Sequence, residues 1–143
     1  MTNIIEWDKK YGVDVPELDQ CRKQLMEMFN RLIEMKTKKG DAKDVVNLVT
    51  EINDFSKILF SKEEKVLGQK GYPDLDIHSK SHRRFVKKAL GLRREIAEDV
   101  ENLLVEDILE LRNLLVTHFE SSDTQFIPFL RIHRYVDECE NKK

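Results

Sequence analysis

The 143-residue sequence predicts an all-α protein: an antiparallel, up-down-up-down four-helix bundle with an N-terminal arm and a short C-terminal helix, forming a single domain over residues 1–143. Three observations carry this prediction. Gly and Pro are scarce, at five and three, while 36 % of residues are charged and 40 % hydrophobic, a balance that favours long helices over many short strands. Apolar residues recur at three- and four-residue spacing over four stretches. The connections between those stretches are short, so successive helices lie antiparallel as neighbours.

The arm "NIIEWDKKYGVDV" reads as an extended segment held to the bundle by Ile5 and Trp7. The first helix runs from about Val15 to Lys38, with Pro16 suited to a first turn and Gly40 to a stop. Its stripe is Leu18, Leu25, Phe29 and Leu32, with Met28 and Met35 alongside. The second spans about Ala42 to Leu67, turns Val45, Val49, Ile52, Phe55, Leu59 and Val66 inward, and stops before the loop "GQKGYPD". The third covers about Leu75 to Val100, with Phe85, Ala89, Leu92 and Ile96 on one face. The fourth covers about Val105 to Ser122, with Ile108, Leu111, Leu115 and Phe119 inward. The tail continues that helix, bends at Pro128 and ends in a short amphipathic helix.

Bulk properties narrow the function. A formal net charge of −2 and a pI of about 6.1 supply no basic field for nucleic acid. The apolar runs are only a few residues long, too short to cross a membrane, and the N-terminus lacks the basic and apolar regions of a secretory signal. Cys21 and Cys139 form no CxxC motif or disulfide framework, so the expected compartment is the cytoplasm, with reduced thiols.

The informative residues are polar ones on apolar stripes. The segment "HSKSHRRF" puts His78 and His82 one turn apart on the face that continues through Phe85 and Ala89. Glu63 falls between Leu59 and Val66 on the second helix; His118 follows Leu115 on the fourth, with Asp123 just over a turn later; Arg22 interrupts the first seam. Each has a bland reading. A lone HxxxH is usually solvated, a Glu near a helix end caps or snorkels, His118 suits a helix C-terminal dipole, and Arg22 can lay its stem outward. His133 fits no stripe and reads as surface or tail. Buried unpaired charges are costly, however, and alternating helix direction brings Arg22, Glu63, His78, His82, His118 and Asp123 to one end of the bundle. Three imidazoles and two carboxylates there form an N/O donor set suited to iron, manganese or zinc, in a place where bundles build such sites.

These motifs, in order, resemble those of the hemerythrins, in particular the bacterial hemerythrin-like proteins. The Trp-containing arm is followed by Asp19-Gln20-Cys21-Arg22 where the family has Asp-x-x-His. Leu59-Phe60-Ser61-Lys62-Glu63-Glu64 stands for His-Phe-x-x-Glu-Glu. The loop of Gly71 to Pro73, the His78/His82 pair and the His-x-x-x-x-Asp motif of His118 and Asp123 complete the match over nearly the whole chain.

The resemblance implies metal ligands at His78, His82, His118, Glu63 and Asp123. It also implies that both terminal histidines of the family's second iron are replaced, by Arg22 and Leu59. The expectation is therefore a non-haem site with one iron per chain rather than an iron pair. The guanidinium of Arg22 would substitute for the second metal's charge by pairing with Glu63 or Asp123, and Leu59 would fill the remaining volume. One open position would take oxygen, nitric oxide or a related small anion. The family's reversible oxygen carriage draws on two irons and is not expected in ordinary form. Zinc suits the same ligands. The competing expectation is a metal-free or zinc-stabilised bundle that acts through protein contacts, with its partner undefined. No acid–base pair or substrate pocket is legible, so the chain is not expected to be an enzyme.

Overall fold

The computed structural model describes residues 4–13, 15–125, 127–132 and 139, with only the backbone for 122–125. Its four long helices are α1 (Pro16–Thr37), α2 (Ala42–Gln69), α3 (Leu75–Glu98) and α4 (Val105–Gln125). A short helix follows at 127–132. Both α1 and α3 pack on α2 and on α4, closing the four helices into a ring with an apolar interior.

Local chemistry sets the ends. Pro16 opens α1, where its missing N–H costs nothing. The stop lies one residue before the expected Gly40: Lys39 takes the left-handed conformation at φ 55, and the Gly40 amide donates to the Met35 carbonyl at 2.7 Å. Asp41 caps α2 by accepting from the Lys43 amide at 3.0 Å. That helix runs two residues beyond Leu67 and ends where Gly71 turns left-handed at φ 71, which brings the Tyr72 amide to the Leu67 carbonyl at 2.9 Å. The third helix ends at Glu98, two residues short of the expected Val100. Asp99 is extended there, and its carboxylate starts a 3-10 turn over Val100–Asn102.

The arm packs on the bundle through Ile5 and Trp7 as expected. It contains one 3-10 turn, Lys9–Tyr11. Asn30 on α1 grips it with two bonds, accepting from the Ile5 amide and donating to the Ile5 carbonyl. Asp19 accepts from the Val13 amide at 2.6 Å. A Cβ on Gly12 would lie 2.9 Å from the Asp19 carboxylate, so any larger residue there would have to displace the carboxylate that accepts from the Val13 amide.

Most expected inward residues are buried, but the stripe on α2 is rotated. Phe55 and Val66 are half-buried, while Leu48, Ser56, Phe60 and Leu67 are buried. The reason is that α2 packs against two neighbours, α1 and α3, so its buried arc is wider than one stripe. Two apolar clusters result. The larger includes Leu25, Leu59, Phe60, Phe85, Leu115 and Phe119. The smaller, at the opposite side of the functional layer, includes Val13, Leu18, Leu67, Tyr72, Ile127 and Leu130. On α1 the buried order is Leu18, Arg22, Leu25, and on α2 it is Leu59, Glu63, Leu67. A polar layer is thus enclosed between two hydrophobic ones.

Candidate metal centre

Glu63, His78, His82 and His118 meet in that layer, with one donor atom from each lying within 4.8 Å of all the others. The Oε2 atom of Glu63 is 3.0 Å from His82 Nε2, 3.4 Å from His78 Nε2 and 3.7 Å from His118 Nε2. His82 Nε2 and His118 Nε2 are 3.0 Å apart. Bonds of about 2.0–2.1 Å to one metal ion place neighbouring donors roughly 2.9–3.4 Å apart, close to this spread. Asp123 follows on the last turns of α4, but its side chain lies outside the described residues, as does His133.

The other oxygen of Glu63 faces the opposite way. Arg22 Nε donates to Glu63 Oε1 at 2.7 Å, and both side chains are fully buried. A second guanidinium N–H donates to the Tyr11 carbonyl at 2.8 Å. The guanidinium carbon lies 4.4 Å from the centre of the Phe119 ring, near enough for a cation–π contribution. Leu59 is fully buried in the larger apolar cluster. The carboxylate is therefore shared between a fixed cation on one oxygen and three imidazoles on the other.

Electrostatics follow from this division. Burial works to raise the Glu63 pKa, but Arg22 and the three histidines outweigh it and hold the carboxyl well below its ordinary range. Burial pushes His118 down to about 4, against the upward pull of Glu63. His118 is thus uncharged at neutral pH, the form in which imidazole binds metal. In metal-free protein, the unfolded chain protonates His118 near 6.5 while the folded chain resists until about 4. Its contribution to stability is complete above the unfolded value and is lost as pH falls through the folded one, by about 3 kcal/mol. Urea midpoints from pH 7 to 4 should show this loss, and His118→Phe should flatten it. An unchanged slope in that variant would refute the assignment.

The surrounding residues orient the imidazoles. Ser81 Oγ is 3.2 Å from His118 Nδ1, which leaves Nε2 to face inward. His82 Nδ1 lies 3.4 Å from Glu64 Oε2, within ion-pair reach but without hydrogen-bond alignment to a described partner. The Phe60 ring stacks on His82, 4.1 Å between centroids and 12° between planes. With Nδ1 carrying the proton, each Nε2 points a lone pair at a carboxylate oxygen and at the other imidazoles. Such a convergence of acceptors suits a cation at its centre, so the residues present fit a bound metal. Phe60, Ser81, Glu64 and the Tyr11 carbonyl were not assigned from the sequence. Phe60 and Glu64 sit inside the quoted motif and Ser81 lies between the two histidines, so adjacency was their signal. The Tyr11 carbonyl carries none, because any residue supplies one.

Comparison with known proteins agrees with this geometry. Residues 13–130 match the model of the hemerythrin HHE cation binding domain. The chain is 24 % identical over 136 residues to a bacteriohemerythrin of Stenotrophomonas maltophilia, an alignment that covers 91 % of this chain and 84 % of that protein. It is 27 % identical over 121 residues to a myohemerythrin of Theromyzon tessulatum, covering 85 % and 89 %. It is 28 % identical over 121 residues to a hemerythrin-like protein of Naegleria gruberi, covering 84 % and 88 %. The ring of four helices, the enclosed histidine–carboxylate layer and the match over most of its length make this chain a member of the hemerythrin HHE cation binding domain family.

Proposed function

We propose that the chain holds one non-haem iron on His78, His82, His118 and Glu63, with Asp123 as a further ligand, and binds or senses a small molecule there. The supporting observation is the division of Glu63. A carboxylate that bridges two metals offers one oxygen to each, but Oε1 is bonded to Arg22 at 2.7 Å. A guanidinium is permanently charged and planar, so it compensates Glu63 without a second ion. Leu59, one turn before Glu63 on α2, adds an apolar wall beside the layer and offers no donor.

Bound iron would supply an open coordination position for oxygen, nitric oxide or a related anion. The chain's own residues would hold it, exclude bulk water and fix imidazole orientation. Phe60 covers His82 on one face, and Ser81 holds His118 Nδ1, so that Nε2 faces the cluster. In this reading the protein is a binder rather than an enzyme. Reversible oxygen carriage that draws on an iron pair would be absent in its ordinary form. Zinc suits the same donors.

Metal analysis of protein purified anaerobically should return about one iron per chain, and His82→Ala should abolish it. Two irons per chain would overturn the single-metal reading. A chelator should also lower the thermal midpoint, because a ligand held only by the folded chain stabilises it. No metal and no response to the chelator would leave a metal-free bundle acting through protein contacts.

A further inference from the structure

Beside the metal layer, α2 and α3 enclose a surface cleft of about 480 Å³ whose lining reaches His82, within the size range of small-molecule sites. Its apolar lining comes from Phe60, Val86 and Leu90. Four exposed cations border it: Lys57 from α2, and Arg83, Lys87 and Arg94 from α3. None of the four has an ion-pair partner among the described residues. The neighbouring Lys88, by contrast, is paired with Glu110 across to α4. One anion faces the cleft, Glu64, which lies beside His82 Nδ1 at the cleft's inner side. The lining is therefore strongly positive in a chain whose overall charge is −2.

This combination is unusual for a merely solvated helix face. Solvated cations alternate with acids along a helix and sit over no cavity. Between Ile77 and Arg94, α3 carries seven Lys or Arg and no Asp or Glu, and the cleft places part of that charge around apolar surface. Low-dielectric walls strengthen the attraction of such a rim for an anion. We propose that this cleft is a binding site for an amphipathic organic anion, one with an apolar chain or ring and a carboxylate, sulfonate or phosphate head. The apolar body lies over Phe60, Val86 and Leu90, and the head is held by the cationic rim. A small anion is favoured over an acidic protein because the charges border a concave slot with walls from two helices, rather than a flat face. An occupant would rest against Phe60, whose ring also stacks on that of His82, but binding itself requires no metal.

Decanoate and 1-anilinonaphthalene-8-sulfonate serve as probes, titrated against the full chain by calorimetry and fluorescence. Binding should weaken about tenfold or more in Lys87→Glu/Arg94→Glu, and also as salt rises from low to high, since exposed charges are screened. The double variant Lys23→Glu/Lys43→Glu makes the same change of net charge at exposed positions remote from the cleft, and should bind as the parent does. Amide shifts on adding decanoate should centre on Val86, Lys87 and Leu90. Equal losses in both double variants would reduce the effect to net charge and overturn the proposal. So would decanol binding as tightly as decanoate, shifts centred elsewhere, or an acidic peptide binding the cleft while decanoate does not. Circular dichroism of each variant distinguishes these outcomes from a failure to fold.

Discussion

Replacing Arg22 with alanine should lower stability by about 3–5 kcal/mol, the usual cost of removing one partner from a buried ion pair. Both members are fully buried and 2.7 Å apart, so solvent screens little of the loss. For a domain of this size that is roughly a 10–20 °C fall in the thermal midpoint. The pH dependence should change with it. In the parent, Glu63 is held well below its ordinary value, so its contribution is present above the unfolded carboxyl value and is lost as pH falls through the folded one. Without Arg22 the carboxyl loses the largest influence that lowers it and titrates higher in the metal-free chain than in the parent. The variant's deficit should then shrink in acid, where Glu63 is neutral in both states. Pairing Arg22→Ala with Glu63→Gln should recover part of the loss, because the uncompensated charge is gone. A fall of less than about 1 kcal/mol in Arg22→Ala would show that the pair is not a main support of the layer.

The second large effect concerns metal content. Arg22→His with Leu59→His should raise it from about one ion per chain to about two. The substitution at position 22 releases Glu63 Oε1, now bonded to the guanidinium. The two new imidazoles then stand at buried positions on α1 and α2, the first beside Glu63 and the second one turn before it. Neither single change should suffice, since Leu59→His alone leaves Arg22 on the carboxylate, and Arg22→His alone adds one donor. Metal analysis of the folded double variant checks this. One ion per chain with native helicity would count against the register that aligns these two positions with the family's missing histidines.

How much of this was legible in the sequence differs from element to element. The helices were, because apolar spacing and turn residues act within a few positions of one another. Ala42 and Val105 were placed as helix starts, and the loop around Gly71 was placed by its own composition. Ends were less legible where a single side chain decides them. Lys39 adopts a left-handed conformation that its residue type does not advertise, and Asp99 diverts the chain into a 3-10 turn. The rotation of the α2 stripe was invisible for a related reason. Periodicity locates one buried face, whereas contact with both α1 and α3 determines how wide that face becomes.

For the site, the sequence by itself offered the inventory: three imidazoles, two carboxylates and a guanidinium, all at one end of the bundle. Helical spacing fixes which residues share a face, and alternating direction fixes which end they share. The resemblance, which covers nearly the whole chain, implied that Arg22 and Leu59 depart from the family's pattern. Only the tertiary structure decided how those groups pair. The sequence offered Glu63 or Asp123 as a partner for Arg22; the fold gives Glu63 Oε1 to the guanidinium and turns Oε2 to His78, His82 and His118, while the Asp123 side chain lies outside the described residues. The fold likewise brought the Tyr11 carbonyl to Arg22 and laid Phe60 on His82. Helix geometry is local and repeats from residue to residue, whereas the choice between two oxygens of one carboxylate depends on where four separate helices come to rest.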